Sequence, residues 1–396
     1  MIAIIGIGSA PLTAPARRRI DEADVVIGAR RCLEAAGVRN GVEWSGDIAG
    51  MLDEISSHQG LLAVLASGDP GFFGIVRALS ERFGPADLEV HPSVSSVAAA
   101  FARVALSWDD AVVVSAHGRD PHTAVNTCRA LPKVAVLTSP SFSPADLGRA
   151  LRAVDRTYVV AERLGTPQER VAEVSAHDLV SSHWTDPNVV LVLDGRRLGG
   201  AASLAFPARS SPARWGLEEG AFSHRNSMIT KAEVRSLVMA RLGPGVGDLV
   251  WDVGAGSGSV AVECARFGAA VIAIDSDAAA CNSVTENAGR HGVDVSVVRG
   301  SAPEALEELP DPDAVFVGGT GARLEETLEV VSARAARCAV VTVATLERVP
   351  VAAGRLAAGG LRVGGSHIQA ARLVEMGGTH RLKALNPVFV VWGDRE

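Results

Sequence analysis

At 396 residues and 41.0 kDa the chain has room for two domains, at roughly 100–200 residues each. Hydrophobic residues at 47% and charged residues at 21% exclude wholesale disorder. A net charge of −7, with both sides of Ser210 slightly acidic, excludes a protein held on nucleic acid or lipid by charge alone. Cys32, Cys128, Cys264, Cys281 and Cys338 form no C-x-x-C pair, and an odd count does not suit a disulfide framework. The start, MIAIIGIGSAPL, lacks a basic n-region, and no apolar stretch approaches the ~20 residues of a membrane span. These features predict a soluble, cytoplasmic protein with no nucleic-acid and no membrane partner.

Short β-rich runs alternate with Ala/Arg/Leu-rich helical stretches, which predicts an α/β chain of parallel sheets covered by helices. Strands are expected at Ile2–Ile7, Val25–Ile27, Leu61–Leu65, Leu88–His91, Val112–Ser115, Val134–Thr138, Thr157–Ala161 and Val189–Leu193. Trp108–Ala111 reads as a joint between two lobes. From Arg196 to Ser227, Gly, Ser, Pro and Ala mix without period, so the boundaries are placed at 1–205, a linker 206–228, and 229–396. Helical spacing returns in TKAEVRSLVMARL, with Val234, Leu237, Val238 and Leu242 on one face. Further strands follow at Leu249–Val253, Ala270–Ile274, Val295–Val298, Ala314–Val317 and Ala339–Val343. A late hairpin is expected near Gln369–Val374 and Val388–Trp392.

The clearest motif is WDVGAGSGSVAVE, in which a strand enters Gly254, Ala255, Gly256, Ser257 and Gly258 and then a helix. Glycine lets backbone approach a ligand where a Cβ would collide, and the helix start presents free N–H groups. A dinucleotide fingerprint needs glycine at 259, which is Ser259, so a nicotinamide enzyme is the weaker reading. The G-x-G-x-G spacing behind Asp252 suits S-adenosylmethionine, which has no pyrophosphate to cradle. Asp275, at the end of the next strand, can accept both ribose hydroxyls or can merely cap the following helix. The run from Gly300 through Ala302 and Pro303 to Leu306 follows a third strand and can border an adenine.

Taken with TKAEVR, GSAPEAL, PDAVFVGG and VATLE, this motif resembles the C-terminal domain of the precorrin-6Y C5,15-methyltransferase (decarboxylating) family, over about residues 215–396. In the first half, IGIGSAPLT, ASGDPGFFG, HPSVSSVAAA and SAHGR resemble the two-lobed tetrapyrrole methyltransferase family, over about residues 1–200. The resemblance departs at Pro92-Ser93, where Pro-Gly is common, and at Gly8-Ser-Ala, which lacks a third glycine. It implies a two-lobed tetrapyrrole methyltransferase fold joined to a Rossmann-like methyltransferase fold, with S-adenosylmethionine at two sites. Gly8, Asp69, Phe72, Ser95 and Ser96 would contact one donor, and Thr230, Gly254 to Gly258, Asp275 and Ala302 the other; Gly68-Asp69-Pro70 can equally be only a turn, and Ser95 and Ser96 only a helix start. The substrate implied is a polycarboxylate tetrapyrrole, methylated at C5 by the first half and at C15 by the second, with decarboxylation of the C12 acetate. A homo-oligomer is also implied. The weighed alternative is a chain with one inactive half, acting at a single site on a precorrin or an RNA.

A polycarboxylate substrate calls for arginine, whose planar fork pairs carboxylates bidentately. Arg17, Arg18, Arg30, Arg119, Arg163, Arg225, Arg235 and Arg323 are candidates, with Arg119 and Arg235 chosen as substrate-binding. Lys231, one of only three lysines, and Glu347, just past a strand, are the catalytic candidates: Lys231 for its compact charge or shiftable pKa, or else an ordinary first-turn residue, and Glu347 as a proton handler or else a helix cap. His117, His224 and His367 stand apart, so no metal site is expected.

Overall fold

The structure, a computed structural model, describes residues 1–8, 10–44, 47–198, 214–224, 229–319 and 321–395. The first sheet is built from β1 (Ile2–Ile7), β2 (Val25–Gly28), β3 (Val42–Glu43), β4 (Leu62–Ser67) and β5 (Leu88–His91). These pair in the order β3-β2-β4-β1-β5, all parallel. Two of the three inner strands, β1 and β4, read IAIIGI and LAVLAS and are buried almost throughout, as strands covered on both faces must be.

Residues 104–111 then lead to a second sheet, with Trp108 stacked on Phe101 at 6.2 Å, so the expected joint lies between two lobes. Its strands are β6 (Val112–Ser115), β7 (Lys133–Leu137), β8 (Thr157–Glu162), β9 (Arg170–Val174) and β10 (Asn188–Leu193), in the order β6-β7-β10-β8-β9. Only β6 and β7 run parallel, which corrects the expectation of a parallel sheet. The reason is length: residues 163–169 between β8 and β9 suffice for a hairpin, while a crossover takes a dozen residues or more. Strand β9, RVAEV, escapes sequence reading because it is a half-exposed edge with charges at Arg170 and Glu173.

The third sheet joins β11 (Leu249–Val253), β12 (Ala270–Asp275), β13 (Ser296–Arg299), β14 (Ala314–Val317), β15 (Cys338–Val343), β16 (Arg362–Ile368) and β19 (Val388–Asp394). The order is β13-β12-β11-β14-β15-β19-β16, parallel from β13 to β15. The expected late hairpin is wrong in its partners. Strand β17 (Ala371–Met376) pairs with β18 (Thr379–Ala384), while β19 inserts antiparallel between β15 and β16. Burial decides this: Val390, Val391 and Trp392 are at most 9% exposed, whereas Leu373 and Leu382 of the two-stranded ribbon are 71% and 67% exposed.

The expected linker also needs correction at its end. Among residues 214–224, Phe222 is buried, and Gly216 and Leu217 donate backbone N–H bonds to Glu263 at 2.7 and 3.0 Å. Lack of period hid a segment that packs through Leu217, Ala221 and Phe222. Residues 199–213 and 225–228, which hold most of that linker and the candidate Arg225, lie outside the described residues.

The two halves meet through the second lobe. From the helix His122–Ala130, His122 Nε2 lies 2.9 Å from Asp313 Oδ2, and Asn126 Nδ2 donates to the Gly247 carbonyl at 3.2 Å. Arg156, buried, donates to Asp294 at 2.9 Å. No described helix is long and apolar enough to cross a membrane.

Candidate active sites

In the second half, β11 carries its chain to the carboxyl edge of the third sheet, and the loop that follows has three glycines at positive φ: Gly254 at 72°, Gly256 at 56° and Gly258 at 69°. Their reasons differ. A Cβ on Gly254 would sit 2.3 Å from the Gly319 carbonyl oxygen, and one on Gly258 would sit 2.9 Å from Val284. At Gly256 a Cβ would meet nothing within 4 Å among the described residues beyond its own chain neighbours. The loop is thus pinned at both ends by close approach and faces open space at its centre, where a ligand can lie. Asn287, buried, donates to the Ser257 carbonyl at 2.8 Å and fixes the loop from behind. Ala255 is half-buried beside it.

Asp275 ends β12 and accepts from the backbone N–H of Gly256 at 2.8 Å and of Asp277 at 2.9 Å. The cap of the following helix, Ala278–Arg290, is Asp277, which accepts from Ala279 N–H at 3.0 Å. The capping alternative therefore belongs to the neighbour, and Asp275 stands half-buried against the glycine loop. Asp252, 1% exposed, accepts from Ala261 N–H at 2.9 Å through Oδ2, while Oδ1 has no partner. Burial, aided by the nearby Asp275 charge, pushes its carboxyl up to about 7. An open glycine floor and an unsatisfied buried carboxylate oxygen fit a cationic nucleoside such as S-adenosylmethionine.

Thr230 and Lys231 are half-buried at the start of the helix Ala232–Leu242, and Lys231 occupies its N-cap position without a side-chain cap bond. This helix precedes β11, so its start lies at the same carboxyl edge as the glycine loop. Ala302, half-buried, follows β13 there, and Glu347 follows β15, exposed, at the N-cap of the helix Arg348–Ala358. Neither Lys231 nor Glu347 forms an ion pair among the described residues.

Arg235 is corrected. It is 0% exposed, donates to Glu263 Oε1 at 2.6 Å and to the carbonyls of Thr230 and Leu217, and lies over the Phe222 ring at 4.9 Å. With its guanidinium spent inside the fold, it has no face for a substrate carboxylate. The motif places it one helical turn after Lys231, and that spacing points it inward. Arg323 is likewise occupied, forked onto Glu304 at 2.7 Å and held by Glu326 at 2.6 Å.

The first half gathers three distant segments at the carboxyl edge of the first sheet. A Cβ on Gly6 would strike the Gly68 carbonyl at 2.6 Å and Ser93 at 2.8 Å, and one on Gly8 would strike Ser93 Oγ at 2.3 Å. The departure at Ser93 therefore fills the space beside Gly8 rather than leaving it open. A cavity of about 350 Å³ runs along Gly6, Ala10–Thr13, Ala16 and His91–Val94, within the ~300–1,000 Å³ usual for small-molecule pockets. Asp69 accepts from Gly71 N–H at 2.8 Å. Ser95 caps the helix Ser96–Arg103 through Ala98 N–H at 3.1 Å, so its hydroxyl has a structural task. Phe72 packs into the core of the second lobe and meets Phe73 edge-on at 5.1 Å. Arg119, exposed after β6, lies over the Phe73 ring at 5.9 Å and joins the lobes across the cleft. Of the other cationic candidates, Arg17 donates to the Ala36 carbonyl at 2.7 Å, Arg30 lies 3.7 Å from Glu43, Arg18 is exposed, and Arg163 adopts a φ of 46°.

Sequence reasoning missed Glu263, Asn287 and Ser93 as parts of these sites. Only Ser93 gave a signal, as a departure from Pro-Gly.

A two-lobed methylase unit joined to a Rossmann-like unit defines the class as methyltransferase. Residues 1–180 match the tetrapyrrole (corrin/porphyrin) methylases and residues 220–393 match the precorrin methyltransferase domain. The precorrin-6Y C(5,15)-methyltransferase (decarboxylating) of Sinorhizobium sp. is 33% identical over 407 residues, covering 98% of this chain and 94% of that protein. The "Probable cobalt-precorrin-6B C(15)-methyltransferase (decarboxylating)" of Pyrobaculum calidifontis is 39% identical over 169 residues, 41% of this chain and 87% of that protein. The cobalt-precorrin-7 C(5)-methyltransferase of Salmonella typhimurium is 29% identical over 205 residues, 50% of this chain and 100% of that protein. The chain belongs to the precorrin-6Y C5,15-methyltransferase (decarboxylating) family. It is an S-adenosylmethionine-dependent methyltransferase of that family, acting on a tetrapyrrole.

Proposed function

We propose that the chain converts a precorrin-6 intermediate to precorrin-8, with residues 1–205 methylating C5 and residues 229–396 methylating C15 and removing the C12 acetate carboxyl. The observation that supports this most is the coexistence of two carboxyl-edge loop sites on differently connected sheets, in a chain that matches one bifunctional relative end to end. The relatives that match separate parts of the chain are named for C15 with decarboxylation and for C5.

When bound, S-adenosylmethionine would supply an electrophilic methyl on sulfonium; the electron-rich meso carbon of the macrocycle would take that methyl as the S–CH3 bond breaks, leaving S-adenosylhomocysteine. The protein's task is alignment, which can contribute roughly 7–11 kcal/mol. In the second half, Gly254 to Gly258 form the floor, Asp275 orders that loop and faces the ribose, and Ala302 borders the base. Thr230 and Lys231 lie at the mouth with Glu347, where Lys231 holds a substrate carboxylate and Glu347 handles a proton. In the first half, Gly8, Asp69, Phe72, Ser95 and Ser96 surround the donor and Arg119 receives a macrocycle carboxylate. Decarboxylation draws its electron sink from the macrocycle, so the protein need only orient the acetate and deliver one proton.

The test is product mass from purified protein, labelled donor and a precorrin-6Y substrate. Two methyls gained and one carbon dioxide lost are expected. A single methyl with the carboxylate count unchanged would reject the bifunctional reading.

A further inference from the structure

The third sheet has two edges, and the structure uses them for different purposes. Among the described residues, the hydrogen bonds and ion pairs from the first half fall on the amino edge. Gly247, touched by Thr123 and Asn126, lies two residues before β11, Asp313 lies one before β14, and Asp294 lies two before β13. The glycine loop, Asp275, Ala302 and Gly319 all follow the ends of these same parallel strands, on the carboxyl edge. Among the described residues no hydrogen bond or ion pair joins the first half to that edge.

Strand β11 alone spans about 13 Å between the two edges, at ~3.3 Å per residue. Its interior is closed, with Leu249 to Val253 all at most 1% exposed, so nothing the size of a tetrapyrrole passes through the sheet. The first half, which holds the first site, meets this sheet at its amino edge. Arg119 at its cleft is three residues from His122, which touches Asp313. Within one chain the first half meets the amino edge of this sheet while the second site opens at its carboxyl edge, so no macrocycle can be seated at both.

We propose, building on the two-site reading above, that the singly methylated macrocycle is released from the chain between the two methylations. The enzyme then works as two tethered catalysts without a passage between them. Fusion fixes their ratio but does not hand the intermediate across.

The experiment uses two full-length variants, Asp69→Ala to disable the first site and Asp275→Ala to disable the second. The disabled unit need not fold well, because only the other unit has to work. Gly8→Val and Gly254→Val serve as a second pair. Each pair is given labelled donor and macrocycle, alone and mixed, and the filtrate is analysed by mass after the protein is removed. Release predicts singly methylated macrocycle in the filtrate of the variant that retains the earlier step. It also predicts doubly methylated product from the mixture, at no less than about a tenth of the wild-type rate, rising with the concentration of the second protein. If the intermediate stays with the protein and neither mixture makes the doubly methylated product, release is overturned. If wild-type protein transfers no methyl to the macrocycle, the two-site reading itself fails, which is a different result.

Discussion

The two candidate sites are built to opposite plans. In the second half one continuous loop carries the floor, clamped by Gly319 at one end and Val284 at the other, with Asp275 and Asn287 holding its backbone. In the first half three segments more than twenty residues apart interlock glycine against carbonyl and serine: Gly6 on Gly68, and Gly8 on Ser93. A local loop tolerates change around it but not within it, whereas an interlocked set fails when any one member moves. Substitutions that separate the two plans test the comparison.

The largest effect is expected at Gly254. A valine there must adopt a φ of 72° and force a Cβ to within 2.3 Å of a backbone oxygen. Such a residue is strained twice over. Gly254→Val should lower C15 methylation at least about 100-fold while C5 methylation persists, read by mapping labelled methyl groups on the product. Gly256→Ala meets no neighbour and carries only the ~1–2 kcal/mol penalty of left-handed backbone, so donor affinity should fall only about tenfold. Equal losses from both would break the picture of a loop pinned at its ends.

Next comes Arg235, whose buried pair with Glu263 ties residues 216–217 and the Thr230 carbonyl to the helix behind the glycine loop. Removing one partner of a buried pair leaves an uncompensated charge, at a cost of about 3–5 kcal/mol. Arg235→Met should destabilise the second half by that amount in denaturant unfolding, and Arg235→Met with Glu263→Leu should recover part of it. A substrate-binding arginine would instead raise KM without loss of stability.

Asp252 gives a smaller, pH-dependent effect. Its carboxyl titrates at about 7 in the folded protein against 3.8 for the ordinary group, so it binds its proton more tightly folded than unfolded. Between pH 4 and 7 the unfolded chain ionises first, and stability falls as pH rises, by up to about 1.4 kcal/mol per unit. Above 7 both forms are ionised and the slope ends. Unfolding midpoints measured across this range should show the decline, and Asp252→Asn should flatten it. Asp252 lies in the second half, so the decline belongs to that unit.

Legibility followed the same division. WDVGAGSGS could be read because strand, glycines and helix are adjacent in sequence, and β11 falls on the predicted residues. Counting along the same unit leads to Asp275, which lies against that loop through the Gly256 N–H. The first site was legible only through resemblance, since no local rule brings Gly8 to Ser93 across 85 residues. Arg235 was misread because a charged residue in a polar-looking motif gives no sign that Glu263, 28 positions later, will bury it. The β17–β18 ribbon was mispaired because apolar alternation marks strands without naming their partners.

The smallest contrast lies between two arginines, one at each mouth. Arg323 follows β14 at the carboxyl edge, but Glu304 and Glu326 already neutralise it. Both partners are more than half exposed, and such surface pairs contribute at most about 1 kcal/mol. Arg323→Gln should leave the KM for C15 methylation unchanged and shift stability by less than that. Arg119 has an aromatic ring beneath it and no carboxylate partner among the described residues, so its fork is available to the substrate. Losing one charge-assisted bond costs about 1.5–3 kcal/mol, and Arg119→Gln should raise the macrocycle KM for C5 methylation at least about tenfold with kcat little changed. Arg119→Lys keeps the charge but loses the fork, so it should recover only part of that rise. Steady-state kinetics with each methylation followed separately reads both variants. A rise in the C15 KM on losing Arg323, with none in the C5 KM on losing Arg119, would reverse the assignment of the two mouths.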